Sequence, residues 1–481
     1  MNEMKLLEGM CAAVPPPDPR RLARARVRVV AAIAGGSEPG SRGAQGLPWP
    51  ASQPSGRRWP GWVAPLAAAA AVAAVLAGVV TVSTAIHGRG VSPQAPRVRG
   101  ILTDVSCPGP SRCVAVGQYH RPGPSNALIE RWDGSRWSIV KGPALPAHVH
   151  RDLNGISCAS AADCVAVGTT ALSSRQPTTT PSRTRVLVEH WNGSAWSIVK
   201  SPNLPVPFSD LAGVACGGRW GCIAVGASGN SFGSQVRTLV ERWNGSKWVI
   251  IKSANPVGAV YSFLSSVSCT GASNCVAVGE YFLGGRRQDQ NRVLIEHWNG
   301  SAWKVVASPE PPGSVASYLS GVSCIAPSTC VAVGTARYSH RKGDSYGGKR
   351  EYTLIEQWNG SKWAIVHSPN PSGPPTDGLA GVACTGPSDC TAVGVGGKLT
   401  PRGSPDRAST LVEHWNGSAW SIVRSPSPSA NSDLIKVACP SAANCLAVGG
   451  FGDLGNAANP GTLIEHWNGS VWSLITPVVS R

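Results

Sequence analysis

Two neighbouring stretches decide the fold, LNGISCASAADCVAVG at 153–168 and VLVEHWNGSAWSIV at 186–199. Each contains two short runs of apolar and β-branched residues separated by a turn signal, which is the pattern of an antiparallel hairpin. In the first stretch the turn lies between two cysteines. In the second it contains Asn-Gly, a strong short-range hairpin signal. Together the two stretches predict four short antiparallel strands.

This unit occurs seven times from residue 101 onward, with 51 to 60 residues between successive first cysteines. Such self-similarity is the signature of a repeat architecture, and a solenoid is the main alternative to a propeller. Units longer than 50 residues with two hairpins each favour the propeller. We therefore expect an all-β fold over 101–481, a seven-bladed β-propeller of four-stranded antiparallel blades. We also expect the first blade to pack on the last without exchange of strands.

Each unit contains one Cys-x₅-Cys pair, and facing residues at the ends of a tight hairpin lie within reach of a disulfide. Zinc is the alternative, but these pairs lack nearby histidines that would complete a ligand set. Disulfides place the repeats in an oxidising compartment, outside the cytoplasm. Of the 15 cysteines only Cys11 is left unpaired. The predicted bridges are Cys107–Cys113, Cys158–Cys164, Cys216–Cys222, Cys269–Cys275, Cys324–Cys330, Cys384–Cys390 and Cys439–Cys445.

Composition excludes general disorder, since 42% of the 481 residues are hydrophobic and only 14% are charged. The formal net charge of +17 raises the question of nucleic-acid binding. The sequence contains no helix-turn-helix, zinc-finger or RNA-binding signature, so we expect no nucleic-acid partner. The positive charge is densest in the first hundred residues, where a cytoplasmic segment next to a membrane would explain it.

Residues 62–86, WVAPLAAAAAVAAVLAGVVTVSTAI, carry no charge and are long enough to cross a bilayer. A buried helix or a signal-peptide core would be the alternatives, but a signal core lies closer to the N-terminus. Arginines are more numerous before this segment than after it, so the N-terminus should be cytoplasmic. The predicted organisation is a mostly disordered basic cytoplasmic tail and linker (1–61), a transmembrane helix (62–86), a tether (87–100) and an extracytoplasmic propeller (101–481).

Two resemblances extend this interpretation. A hairpin glycine followed by a tryptophan in every unit resembles kelch and sialidase-type propellers, in architecture only. The units lack the Ser-x-Asp start of the sialidase Asp-box, and nothing matches the catalytic arginines, so the enzymatic part of the resemblance does not carry over. The string LLEGMCAAVPPPDPRRLARARVRVVAAI at 6–33 resembles the cytoplasmic start of bacterial single-pass proteins found beside sigma-factor genes. A basic segment touching anionic lipid is the plainer interpretation of that string.

Residues repeated in every unit are expected to be structural, because chemistry needs one asymmetric constellation. The paired tryptophans should fill the same gap between blades each time. The repeated glutamates should pair with a neighbouring Arg, His or backbone N–H, and the same structural role is expected of His190, His297, His414 and His466. The repeated Asn-Gly-Ser also fits a glycosylation sequon, but a hairpin turn explains it without further assumption. The glutamates are Glu130, Glu189, Glu241, Glu296, Glu356, Glu413 and Glu465.

Functional asymmetry must lie where the units differ, chiefly in the loops after each Cys-Val-Ala-Val-Gly. These loops are rich in Lys and Arg, and they should share a face with the connections between blades. That face would lean toward the membrane and its anionic headgroups; merely solvated loops are the alternative. The candidate binding residues are Arg286, Arg287, Arg337, Arg341, Lys342, Lys349 and Arg350.

The sequence thus predicts a non-catalytic binding or scaffolding protein of the cell membrane, with an anionic glycan, lipid or protein as partner. A transmembrane signalling protein with an anti-sigma-like tail and a sialidase-like enzyme acting on polysaccharide are the alternatives. We find no catalytic constellation in the sequence and expect no cofactor or metal.

Overall fold

The computed structural model describes residues 98–119, 126–146, 148–172, 183–202, 204–218, 221–231, 234–284, 290–339, 350–371, 376–399, 405–429, 431–452 and 461–475. They belong to Val91–Arg481, one of the two compact units into which the chain divides. The predicted cytoplasmic tail and transmembrane helix, and the tether up to residue 97, lie outside the described residues. Within the described ranges, no helix combines the length and hydropathy needed to span a membrane.

In this part of the chain, 28 strands form seven antiparallel sheets of four consecutive strands each, which confirms the predicted blades. The first strands of the blades are β1 (Gly100–Gly109), β5 (Val149–Ser160), β9 (Phe208–Gly217), β13 (Tyr261–Gly271), β17 (Ala316–Ala326), β21 (Gly378–Gly386) and β25 (Ser432–Ser441). The second strands are β2 (Arg112–Tyr119), β6 (Asp163–Leu172), β10 (Gly221–Ser231), β14 (Asn274–Phe282), β18 (Thr329–Tyr338), β22 (Asp389–Leu399) and β26 (Asn444–Phe451).

The third strand of each blade carries the repeated glutamate and the fourth strand is short. The third strands are β3 (Asn126–Trp132), β7 (Thr184–Trp191), β11 (Ser234–Trp243), β15 (Arg292–Trp298), β19 (Arg350–Trp358), β23 (Pro405–Trp415) and β27 (Gly461–Trp467). The fourth strands are β4 (Trp137–Ile139), β8 (Trp196–Ile198), β12 (Trp248–Ile251), β16 (Trp303–Val305), β20 (Trp363–Val366), β24 (Trp420–Val423) and β28 (Trp472–Leu474).

The first strands contact one another in a closed ring, β1 to β5 and onward to β25, which contacts β1 again. They therefore surround the axis of the propeller. Blade 7 meets blade 1 through an isolated bridge between Arg99 and Gly461, and Thr462 N donates to Val98 O at 3.2 Å. Similar bridges join Glu351 to Thr376 and Ala408 to Asn431 in other blades. Among the described residues no terminal strand enters the opposite blade; the segments up to residue 97 and from 476 onward, which also bear on the predicted closure, lie outside the described residues.

The hydrophobic core is divided between the blades. Seven main clusters each join residues of two adjacent blades. Each contains the second tryptophan of one blade, packed against aliphatic side chains of the blade before it, as Trp196 packs with Val116 and Ile129. These indoles are at most 8% exposed. The prediction that a repeated tryptophan fills each inter-blade gap is confirmed.

All seven predicted disulfides are present, with Cα–Cα distances of 3.9–4.1 Å. The cysteines face each other across the first hairpin, as the register Cys269↔Cys275 shows. The turn itself is tighter than the spacing suggests. In blade 2, β5 and β6 continue past the bridge to the pair Ser160↔Asp163, and a register shift absorbs the extra residue.

The second hairpin differs from the expected Asn-Gly turn. Trp191 pairs directly with Trp196, so the loop has four residues, and β8 begins at the tryptophan rather than at the serine. Asn192 Oδ1 accepts hydrogen bonds from Ser194 N, Ser194 Oγ and Ala195 N at 2.8–3.0 Å. Gly193 has φ 94°, a left-handed conformation that glycine adopts without strain. The Asn side chain therefore holds the loop, which supports the turn explanation for Asn-Gly-Ser.

Candidate functional site

The strand registers define two faces of the propeller. Gly100 pairs with Tyr119, and Tyr119 pairs with Asn126, so β1 begins, β2 ends and β3 begins at the same edge of the sheet. We call this edge the connection face, because the links between blades also lie there. At the opposite edge lie the disulfide hairpins and the Asn-Gly loops, which we call the hairpin face. The strand ends that bound the long variable loops therefore share a face with the inter-blade links, as predicted.

Two of the seven candidate binding residues are described, and both lie on the connection face in blade 5. Arg337 is near the end of β18, and its guanidinium contacts Glu351 at 2.7 Å. Arg350 is the first residue of β19 and pairs with Tyr338 in the register. Arg286, Arg287, Arg341, Lys342 and Lys349 lie outside the described residues. The structure thus gives Arg337 an ionic partner within its own blade.

The seven repeated glutamates are fully buried, each at 0% exposure. In five of them the carboxylate accepts a hydrogen bond from a serine just beyond the fourth strand of the preceding blade. The serine–glutamate pairs are Ser201–Glu241, Ser253–Glu296, Ser308–Glu356, Ser368–Glu413 and Ser425–Glu465. The predicted structural role is confirmed. The predicted partner types occur at Glu189, which Arg151 contacts, and at Glu296, which also accepts from Ala254 N at 3.1 Å, whereas the serines are partners that the prediction lacked. A serine hydroxyl fits because it is short enough to lie in a packed interface.

Burial raises the pKa of all seven carboxyls, because a charged group loses its hydration there. The pKa rises from 4.5 to about 8 for Glu130, Glu413 and Glu465 and to about 7 for the other four. Near pH 7 the three carboxyls with a pKa of about 8 are mostly protonated, and the other four are protonated in part. Because all seven are fully buried and six have a hydrogen-bond partner among the described residues, the repeated acids are poor candidates for acid-base chemistry.

Two junctions depart from the serine pattern. Blade 1 has Gly142 where the serine would stand, and Arg151 replaces it, donating to Glu189 Oε1 at 3.1 Å and to Pro143 O at 2.7 Å. A Cβ on Gly142 would lie 2.8 Å from the Arg151 guanidinium, so glycine makes room for arginine. Glu130, at the junction of blades 7 and 1, has no hydrogen-bond partner among the described residues.

The repeated histidines lie on the hairpin face and have structural partners, as predicted. The His190 ring contacts Asp163 at 2.9 Å, and the His414 ring contacts Asp389 at 2.8 Å. The His297 and His466 rings contact Asn274 and Asn444. Each contact joins the second and third strands of one blade beside its disulfide.

Sequence reasoning missed a group of polar side chains around the axis. Two residues after the buried leucine of each first strand, three blades have a polar side chain, namely Asp104, Ser266 and Lys436. The other four have glycine, namely Gly155, Gly213, Gly321 and Gly381. Lys436 Nζ lies 3.4 Å from Ser266 Oγ, which connects blades 7 and 4 across the ring. Asp104 Oδ2 accepts from Ile156 N at 2.8 Å. Burial raises the pKa of Asp104, and the charge of Lys436 partly offsets this.

A second unpredicted group lies on the first and second strands toward the connection face. Asn154 donates to Asp210 Oδ1 at 2.8 Å, and burial raises the pKa of Asp210 to about 6. Glu280 accepts from Asn291 at 2.6 Å, and burial raises its pKa too. The connection face therefore has acidic groups near the axis, Asp210 and Glu280, in addition to the Lys and Arg residues of its loops. Aligning the seven repeats position by position would have revealed both groups as departures from the consensus.

In the described part of the chain, no group of three His, Cys, Asp or Glu side chains is arranged to hold a metal ion. No protein-family model matches the chain, and no curated protein matches it. Among solved structures, YCF48 bound to the D1 peptide is 14% identical with a TM-score of 0.43, covering 78% of this chain and 95% of YCF48.

Two further solved structures have similar values. The WD40 propeller domain of Doa1 is 12% identical with a TM-score of 0.43, over 77% of this chain and 96% of that domain. A GH74 xyloglucanase from Xanthomonas campestris is 13% identical with a TM-score of 0.47, over 80% of this chain and 56% of the xyloglucanase. These values carry no argument about function, and the fold rests on the strand pairing described above.

Proposed function

We propose that the protein is a non-catalytic binding or scaffolding propeller at the cell surface, whose connection face binds an anionic glycan, lipid or protein. The observation that carries the proposal is the division between the two faces. Repeated residues form the inter-blade contacts and the hairpin face, whereas sequence variation and clustered Lys and Arg belong to the loops of the connection face. Binding sites are usually built from variable loops on a rigid scaffold.

The loop of blade 5 is the best candidate within that face. Because Tyr338 pairs with Arg350, residues 339–349 connect two strand ends that lie on the connection face. Arg341, Lys342 and Lys349 belong to this segment, and Arg350 ends it. Arg337 already contacts Glu351, so we expect it to contribute less. The proposal also includes a single-pass membrane anchor at 62–86, which would keep this face within reach of anionic headgroups.

A liposome flotation assay tests the proposal with residues 91–481, produced in an oxidising compartment. The fragment begins at 91 because Val98 is buried in the core between blades 7 and 1. We expect it to float with anionic vesicles at low salt and to be released as salt screens the charges. Changing Arg341, Lys342, Lys349 and Arg350 to Ser should abolish most of this binding.

The matched control changes four exposed cations of the hairpin face to Ser and removes the same charge. These cations are Arg136, Lys247, Lys304 and Lys362. The control variant should float like the unchanged fragment. Absence of binding at low salt, or equal losses in both variants, would contradict a lipid-binding connection face. An array of anionic glycans probed with the same three proteins then decides whether a sugar polymer is the preferred partner.

A further inference from the structure

A cavity of about 230 Å³ opens on the hairpin face between blades 2 and 3. Its wall includes the indoles of Trp243 and Trp248, the side chains of Val165 and Val188, and the Cys216–Cys222 bridge. Trp248 and Val188 are at most 3% exposed, so the cavity reaches the inter-blade core. We call it the blade 2–3 cavity.

The corresponding space between blades 5 and 6 is much smaller, about 50 Å³. There Ile325 occupies the position that Ala159 has in blade 2. The first hairpin of blade 3 also differs, since it has Gly217, Gly218 and Gly221 where blade 6 has Thr385, Gly386 and Asp389. Gly221 has φ 80°. The larger cavity is therefore a local departure from the repeat.

The first tryptophan of blade 3 is also placed differently. Trp243 makes an angle of 58° with Trp248, whereas the other tryptophan pairs have 38–42°. In blades 4 to 7 the corresponding indole N–H donates to a carbonyl of its own hairpin, as Trp298 does to Ala272 O at 3.0 Å. Trp243 thus forms part of the cavity wall in an orientation that the repeat does not impose elsewhere.

Among the side chains that line the cavity, the strong hydrogen-bond acceptor is Asp163 of blade 2. His190 and Asp163 line it and form a hydrogen bond with each other through Asp163 Oδ1. The valines, indoles and disulfide offer no strong acceptor. A sugar ring carries hydroxyls around its whole edge and would lose hydration against the valines without replacement bonds, which is unfavourable. A flat aromatic ring with one donor matches this distribution, since its faces need no polar partner.

We propose that the blade 2–3 cavity binds a single phenol or indole ring, which packs against Trp243 and Trp248 and donates one hydrogen bond to Asp163. A small molecule and an aromatic side chain of a peptide are the two sources of such a ring, and both present the same chemistry. This site is on the face opposite the proposed anionic partner, so either proposal can fail without the other.

Binding of p-cresol to the full-length chain tests the proposal, with calorimetry for affinity and ligand-observed NMR for contact. Toluene, which lacks the donor, should bind about threefold to tenfold more weakly. Ala159→Ile, which copies Ile325 of blade 5, should fill the cavity and abolish binding. A short acetylated tyrosine peptide, compared with p-cresol at equal concentration, shows whether a free ring or a peptide-borne ring is preferred.

The repeat supplies matched controls. Trp243→Ala should weaken p-cresol binding at least about tenfold, and Trp415→Ala, the same position in blade 6, should leave it unchanged. Asp163→Asn should weaken it about threefold to tenfold, and Asp389→Asn should not change it. Asn already pairs with the histidine in blades 4 and 7, so this substitution preserves folding.

Three results would overturn the proposal. The first is equal loss of affinity in Trp243→Ala and Trp415→Ala. The second is a methyl hexoside that binds more tightly than p-cresol and depends on the same residues. The third is p-cresol binding that is unchanged in Ala159→Ile, which would place the ligand outside the blade 2–3 cavity.

Discussion

The junction between blades 1 and 2 and the junction between blades 6 and 7 each bury the repeated glutamate, but its hydrogen-bond partner differs between them. In the first, Arg151 reaches Glu189 from the first strand of the same blade, and Gly142 leaves room for it. In the second, Ser425 reaches Glu465 from the preceding blade at 2.5 Å. The serine links two blades, whereas the arginine is bonded both to its own blade and to Pro143 O of the blade before.

This difference shows that the carboxyl, and not its partner, is the fixed element of the interface. A neutral hydroxyl and a cation both satisfy it, and they should differ in energy and in pH dependence. Breaking a buried ion pair exposes the remaining group to the full cost of desolvation, whereas a lost neutral hydrogen bond costs less. Four predictions test this contrast.

The largest effect is expected for Arg151→Ala measured at pH 8. The Arg151 side chain is 10% exposed and Glu189 is fully buried, so the variant leaves a buried carboxyl without its cation. We expect a loss of about 3 kcal/mol in the free energy of unfolding. Urea denaturation followed by tryptophan fluorescence measures it. At pH 5, where Glu189 is protonated, the loss should be clearly smaller; equal losses at both pH values would argue against an ionic contact.

The pH dependence of stability is the next largest effect. Burial raises the pKa of Glu465 to about 8, so the folded state binds this proton more tightly than the unfolded state does. The stabilisation is complete below about pH 4.5 and is lost as pH rises through about 8. Glu465→Gln should therefore reduce the fall in stability between pH 5 and pH 8 by about 3 kcal/mol.

Glu189→Gln is the comparison for that experiment. The pKa of Glu189 is raised only to about 7, because burial is partly offset by the charge of Arg151. The stabilisation that protonated Glu189 contributes should be smaller than that of Glu465, and it should be lost at a lower pH. Identical pH profiles for the two variants would mean that the arginine does not lower the pKa of its partner.

Removing a serine should have an intermediate effect. Ser425→Ala leaves Glu465 without its described donor, and we expect a loss of about 1–2 kcal/mol at pH 6, where the carboxyl is protonated. Thermal unfolding followed by circular dichroism measures the shift. Ser421→Ala, an exposed change on β24 in the same blade, is the control and should shift the midpoint little.

The smallest effect is expected when the arginine junction is rebuilt as a serine junction. Gly142→Ser alone should destabilise, because the new Cβ would meet the Arg151 guanidinium. The double variant Gly142→Ser with Arg151→Ser removes that clash and copies the serine contact found at the junction of blades 6 and 7. We expect it to lie within about 1 kcal/mol of the unchanged protein, since it exchanges one satisfied partner for another. A double variant less stable than Arg151→Ala would show that the two junctions are not interchangeable.

The parts of the structure that repeat could be predicted from the sequence. The spacing of Cys269 and Cys275 gave the disulfide, and the Trp298–Trp303 pair gave the second hairpin and the inter-blade core. The sequence predicts a two-residue Asn-Gly turn, but Asn-Gly also occurs in four-residue loops. Here the Asn side chain stabilises such a loop by accepting hydrogen bonds within it. Period and turn chemistry are local properties, so they are visible in a single stretch of chain.

The polar contacts could not be predicted in the same way. Ser425 and Glu465 are 40 residues apart and belong to different blades, so nothing near either residue indicates the other. Lys436 and Ser266 are 170 residues apart and meet only because the ring closes. The blade 2–3 cavity exists because Ala159 and the glycines of the blade 3 hairpin are small. Small residues of this kind do not by themselves indicate a cavity in a sequence.

The disulfides have a consequence for the response of the chain to mechanical force. Each bridge joins cysteines six positions apart within one hairpin, and none of the seven links one blade to another. Tension between the ends of Val98–Ile475 would therefore separate blade from blade by breaking only hydrogen bonds and packing. Each bridge keeps only the few residues between its cysteines from extending, so nearly the whole contour length of the propeller is available to the pulling force.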